Sequence, residues 1–247
     1  MTDFPAPLGA QQAGAQLGDI QRQLNNLQQR LNQLVIGAVP SSSTGHPPNP
    51  AVGMEIYEVD TGLTATWSGS AWTYPPQLIT SVVLSASQTS VTLPPSGSIP
   101  QVFRNLRLYV AAKSSGTTAS SLDAATIQFN GVSTGYNWNS TQVGQLATSV
   151  TVANGAAASA SQCMQVWNNF HATAGRGLAT IDIPNYSGTS NFKGFTSQCS
   201  ATDGGTAGGM STFAGNLNTV TAAITTLTLT MTVGQFMADS SFFLYGW

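Results

Sequence analysis

The run Phe103-Arg-Asn-Leu106-Arg-Leu108-Tyr-Val110 decides the fold. Its apolar residues at 106, 108 and 110 recur with period two, which sets one group of side chains on one face of a strand. Short runs of the same character lie on both sides of it: Leu78–Ala86, Ser90–Leu93, Ala125–Phe129, Ser149–Val152, Cys163–Phe170, Leu178–Ile183, Ala223–Val233 and Ser240–Leu244. Asn130-Gly131, Asn154-Gly155 and Pro184 punctuate them as turns. Helical signal is nearly absent after residue 36. About eight to ten short strands predict a mainly β chain, with residues 77–247 forming an antiparallel, jelly-roll-like sandwich.

Upstream, residues 51–76 read as a small aromatic β module. Met54, Ile56, Tyr57 and Val59 form one strand, Asp60-Thr-Gly62 turns, and Leu63 to Trp67 returns. Ser68-Gly-Ser70 turns again into Ala71-Trp-Thr-Tyr74. Two tryptophans and two tyrosines give a short segment large apolar surface to bury.

Residues 10–37 carry a different period. Leu17, Ile20, Leu24, Leu27, Leu31 and Leu34 step by 3, 4, 3, 4, 3, a heptad seam with Ala10 and Ala13 in phase. A strict 3.5 repeat predicts a parallel coiled-coil stalk, and Leu at a with an Ile at d leans towards three or four strands. Gly14 and Gly18 weaken the N-terminal half by about 1 kcal/mol each. The coil therefore sets register, while the β regions supply most of the assembly energy. Gly37 and Pro40 stop the helix. Residues 38–50 read as a Ser/Pro-rich linker in which His46, lacking a His partner, is read as solvated and not as a metal ligand. Residues 1–9, with Phe4 between turn formers and with Pro5 and Pro7, read as an extended attachment peptide.

Composition narrows the classes of function. Only 6% of residues are charged, against about 25% in an average soluble protein. Seven basic and nine acidic residues give a net charge of −2 with no basic patch, so nucleic acid is not an expected partner. No apolar run approaches the ~20 residues needed to span a bilayer, so membrane insertion is not expected. The N-terminus shows no secretory signal pattern, which predicts assembly in a cytosol. Cys163 and Cys199 are read as small buried residues or free thiols, without a disulfide framework or a zinc motif.

Two sets of residues resemble known proteins. Val52-Gly-Met-Glu-Ile-Tyr57-Glu-Val-Asp60-Thr-Gly62, followed by Trp67-Ser-Gly-Ser-Ala-Trp72, resembles a short module of tailed-bacteriophage fibre and minor virion proteins that joins a coiled coil to a distal domain. Asn105-Leu-Arg-Leu-Tyr-Val-Ala-Ala112, Ile127-Gln-Phe-Asn-Gly131, Tyr136-Asn-Trp138, Ile183-Pro-Asn-Tyr-Ser-Gly-Thr189 and the terminal Ser-Phe-Phe-Leu-Tyr-Gly resemble the C-terminal β-domain of phage minor structural proteins. The resemblance implies a virion component, a homotrimeric fibre or spike on tail or head, joined to other virion proteins through its N-terminus. It transfers no functional residues.

Chemistry is sparse. The distal domain holds only Asp123, Asp182, Asp203 and Asp239 as carboxylates and His171 as its histidine. A glycosidase or depolymerase needs two carboxyls about 5–9.5 Å apart, which scattered Asp residues supply only if the fold or trimer symmetry joins them. A Cys163–His171 dyad is the weaker alternative to packing. No catalytic residue, metal ligand or cofactor site is expected. Binding fits better: Tyr136, Asn137, Trp138 and Asn139 set aromatics beside amides in an expected loop, a pairing suited to host-surface glycans, with Tyr186 and Trp167 as lesser candidates. The competing reading packs these aromatics in the core or a trimer interface. The expected function is a non-enzymatic phage fibre or spike. A polysaccharide depolymerase and a head-decoration fibre without a receptor role are the alternatives, and a bacterial secreted adhesin is a third class.

Overall fold

The computed structural model describes residues 19–25, 39–116, 122–144, 150–167, 176–202 and 208–247. The chain divides into two compact units at Pro75/Pro76.

In the first unit residues 19–25 are helical, and Ile20 and Leu24 are 60% and 54% exposed. The other seam positions, Leu17, Leu27, Leu31 and Leu34, lie outside the described residues, as do Phe4, Pro5 and Pro7. A four-stranded sheet follows in the order β1-β2-β3-β4: β1 (Val39–Ser41), β2 (Glu55–Glu58), β3 (Leu63–Trp67) and β4 (Trp72–Thr73). β1 pairs in parallel with β2 at the sheet edge, where Pro40 is tolerated because its missing N–H faces away from the ladder.

This corrects the linker reading of residues 38–50, because its polar groups are tied to the hairpin. The Ser43 backbone N–H and hydroxyl both donate to the Asp60 carboxylate, at 2.9 and 2.6 Å. His46 is half-buried, not solvated: its Nε2 lies 2.7 Å from Glu58 Oε1 and its ring sits 4.9 Å from Trp72. Within β2 and β3 the inward set is Ile56, Glu58, Leu63 and Ala65, while Tyr57 and Val59 face out.

The second unit is an antiparallel β-sandwich. Its strands are β5 (Gln77–Val83), β6 (Ser90–Leu93), β7 (Leu106–Ala112), β8 (Leu122–Phe129), β9 (Tyr136–Gly144), β10 (Val150–Ala158), β11 (Ser161–Trp167), β12 (Arg176–Ile183), β13 (Lys193–Thr202), β14 (Gly208–Leu217), β15 (Leu227–Met231) and β16 (Ser241–Gly246). One sheet has eight strands in the order β10-β9-β14-β13-β12-β7-β16-β5, and the other has four, β11-β8-β15-β6. With the hairpins β9–β10 and β13–β14 set aside, the remaining chain builds two four-stranded sheets, β5-β16-β7-β12 and β6-β15-β8-β11. The two hairpins then widen the first sheet from four strands to eight.

The core lies between the sheets. Leu106, Leu108, Val110, Ile181, Ile183, Phe195, Phe213, Phe242 and Leu244 of the wide sheet meet Val91, Leu93, Ile127, Phe129, Val166, Leu227 and Leu229 of the narrow one. Each such side chain contributes about 1.5–3 kcal/mol when fully buried. Phe129 meets Phe195 edge-on with ring centroids 6.3 Å apart. β11 runs over β12, β13, β14 and β9. A bulge between Gln162 and Met164 turns both Cys163 and Met164 inward.

The β12–β13 turn is pinned from below. Lys193, almost wholly buried, donates its ammonium protons to the carbonyls of Asn185 and Gly188, and the Tyr186 hydroxyl donates to the Pro100 carbonyl. Burial pushes the Tyr186 phenol up to about 12 and lowers the Lys193 pKa. Among the described residues no helix is long and apolar enough to cross a membrane.

Candidate glycan-binding face

The period of two that buries Leu106, Leu108 and Val110 sends Arg107 and Tyr109 to the opposite face of the eight-stranded sheet. The strand registers extend this face into straight rows across β7, β12, β13, β14 and β9. One row is Tyr109, Thr180, Gln198, Thr212 and Thr141; a second is Arg107, Asp182, Thr196, Ala214 and Asn139; a third is Ala111, Leu178, Ser200, Met210 and Val143.

The first two rows line an open groove of about 730 Å³, inside the ~300–1,000 Å³ range of small-ligand clefts. Hydroxyls and amides dominate it. Arg107 grips Asp182 with two parallel bonds, Nε to Oδ1 at 2.6 Å and Nη2 to Oδ2 at 3.0 Å. The Asp182 carboxylate, with Tyr109 contributing, raises the guanidinium pKa further, so the arginine stays charged. Its ζ carbon also lies 5.0 Å from the Trp247 ring centroid. Tyr109 stands edge-on to Tyr245 at 5.7 Å, with its side chain partly exposed.

Of the glycan contacts singled out from sequence, Asn139 alone lies in this groove, and of the candidate carboxylates Asp182. Tyr136 and Trp138 are not in a loop; they occupy β9. Tyr136 is fully buried, and its hydroxyl accepts the Phe129 backbone N–H at 2.7 Å, so it is withdrawn as a glycan contact. Trp138 is half-buried against Gly155 on β10, opposite it in register. Asn137 is spent within the sheet: its Oδ1 accepts from Ala157 N at 3.1 Å and its Nδ2 reaches Asn216 at 3.4 Å. Tyr186 is buried, and the side chain of Trp167 lies outside the described residues.

Among the described residues Asp182 and Asp123 are not brought together. Asp182 faces outward on the wide sheet, and Asp123 is buried on the inward side of β8, in the other sheet. Asp203 and His171 lie outside the described residues. Cys163 and Cys199 are free and buried. Cys199 donates to the Ser211 carbonyl at 3.5 Å, and burial pushes both thiols up, so neither is presented as a nucleophile. Among the described residues no group of three or more His, Cys, Asp or Glu is placed to hold a metal ion.

Tyr109, Thr141, Thr180, Gln198 and Thr212 escaped sequence reasoning. Tyr109 stood in the outward half of the alternation in Leu106–Ala112 and Thr180 in that of Leu178–Ile183, while Thr141, Gln198 and Thr212 lie on strands the sequence did not mark; neutral side chains at such positions carry no motif.

No known protein family matches the chain, and no curated protein or solved structure matches it either.

Proposed function

We propose that the chain is a non-enzymatic structural component of a phage virion, a homotrimeric fibre or spike. Its wide β-sheet carries the surface that touches host glycans. The observation that carries the reading is the groove over Tyr109, Arg107–Asp182 and Asn139. An exposed aromatic ring next to the Thr180 hydroxyl, with the Gln198 and Asn139 amides further across the sheet, suits an oligosaccharide, whose pyranoses offer an apolar face and a rim of hydroxyls.

The order of the two four-stranded sheets supports a jelly-roll reading, with two inserted hairpins giving the face its width. The helical residues 19–25 support the stalk, because Ile20 and Leu24 leave an apolar seam in water in a single chain. Attachment to the particle then falls to residues 1–9. The resemblance of residues 52–72 and of the β-domain runs to phage appendage proteins supports the virion assignment. A depolymerase finds less support: among the described residues Asp182 is the one carboxylate lining the groove, and it is already held by Arg107.

The test is binding of the full chain to an immobilised oligosaccharide panel, beside the Tyr109→Ala and Asn139→Ala variants. Binding by the native chain that weakens at least tenfold in the Tyr109→Ala variant is expected. Binding that both variants retain in full sinks the groove as the site. Cleavage of any bound glycan would replace the non-enzymatic reading with the depolymerase.

A further inference from the structure

Resting on the glycan reading above, we infer that the sugar taken by this face is neutral and N-acetylated. Two independent features of the face carry this: its charge balance and an apolar hollow beside the polar groove.

Among the described residues the groove holds one cation, Arg107, and one anion, Asp182, and each is engaged with the other. Arg107 engages both oxygens of Asp182 through two bonds, and the guanidinium also covers Trp247. A uronate or other acidic sugar would have to take Arg107 from Asp182, leaving that carboxylate without its partner, or add a third charge beside a matched pair. A cationic sugar meets the same obstacle with the sign reversed. The remaining groove lining is uncharged, so electrostatic complementarity favours an uncharged ligand.

Beside the groove, the third row opens a second hollow of about 460 Å³. Leu178, Met210, Ala111 and Phe243 line it, and Leu178 and Met210 are 55% and 68% exposed. A plain hexose offers this hollow only its C–H ring face, which the exposed Tyr109 ring takes, and hydroxyls that find no partner among Leu178, Met210, Ala111 and Phe243. An acetamido substituent fits it: it joins a methyl to an amide N–H and C=O. Tyr109, Thr180 and Gln198 border both hollows. A ring seated on the Tyr109–Thr180–Gln198 row would direct its acetamido methyl towards Leu178 and Met210, about 7 Å away, two residues along each strand. Its amide would then meet the Gln198 carboxamide and the Thr180 hydroxyl. The methyl supplies the apolar contact and the border residues supply the polar match.

The experiment uses matched pairs of immobilised oligosaccharides. Gluco and galacto trisaccharides are offered with 2-hydroxyl, 2-acetamido and free 2-amino groups, together with uronate trimers, against the full chain. The acetamido member of at least one pair should bind at least tenfold more tightly than its 2-hydroxyl partner, and amino and uronate members should bind more weakly still. In the Leu178→Thr/Met210→Thr variant the acetamido preference should shrink to within about twofold while affinity for the plain hexose stays unchanged. These residues are exposed, and circular dichroism checks that the variant keeps its fold. Equal or tighter binding of the plain or uronate members overturns this inference and leaves the glycan role standing. Binding to no panel member overturns both. If the double variant changes the oligomeric state while the preference persists, the apolar row is an interface between copies and the acetamido assignment fails.

Discussion

Arg107 and Asp182 stand directly opposite each other on β7 and β12, seventy-five positions apart in sequence, with both carboxylate oxygens engaged by the guanidinium. The pair lies on the solvent face, with its side chains 40% and 35% exposed, so its value is limited by screening. A double-mutant cycle with Arg107→Ala and Asp182→Ala should give a coupling of about 0.5–1 kcal/mol in thermal or urea unfolding. A coupling indistinguishable from zero would mean that the fork does not hold the groove in shape.

Glu58 anchors the first unit. Burial alone would raise its pKa, but hydrogen bonds donated by Thr61 and Tyr74 at 2.6 Å each, and the contact with His46, bring it below the usual carboxylate range. The unfolded chain binds a proton near about 4.3, so this stabilisation is complete above that pH and is lost as the pH falls through the lower, folded value. Hydrogen exchange across residues 54–67, corrected for its intrinsic pH dependence, should accelerate only in that acid range. The Glu58→Gln variant should be less protected at neutral pH, by about 2–3 kcal/mol, and should lose the acid step. An acid step that survives the substitution would assign it to another group.

Trp138 depends on the absence of a side chain at Gly155. A Cβ there would sit 2.3 Å from the indole Nε1, so Gly155→Ala must displace the ring. A loss of about 1–3 kcal/mol and a shifted tryptophan emission are expected. An unchanged spectrum and melting temperature would show that the indole packs elsewhere.

The proposed stalk makes its own demand. Light scattering of the purified chain should report a trimer, and Ile20→Asp/Leu24→Asp should release monomers whose β-sheet circular dichroism is unchanged. A native monomer or dimer would contradict the stalk.

The fold was legible where alternation was loud. Leu106–Val110, Leu227–Met231 and the Asp60-Thr-Gly62 turn all stand close to where their residues pointed. β13, β14 and β9 did not register, because Lys193, Ser197, Ser211 and Ser140 interrupt the apolar set on their inward face while Met210 and Val143 stand on the outward one. Phe195 and Cys199 alternate with Thr196, Gln198 and Ser200, and Phe213 and Leu217 alternate with Thr212, Ala214 and Asn216. That weak contrast fits strands covered on one face only. Tyr136 and Trp138 sat two apart, the spacing of one strand face, but the turn-like Gly135 and the intervening amides masked it. The groove was less legible still, because strand pairing assembles it from Tyr109, Thr141, Thr180, Gln198 and Thr212, which lie as far as 103 positions apart. Val39–Ser41 was hidden by Pro40, which ends a helix as readily as it tolerates a sheet edge.

The most direct test of the account is competition for the host surface. On the virion reading, purified protein added at saturating concentration to host cells before a phage that carries this chain should reduce adsorption severalfold, and the Tyr109→Ala/Asn139→Ala variant should not compete. Adsorption unchanged by the native protein at saturation, or blocked equally by the variant, would contradict the assignment of host attachment to this face.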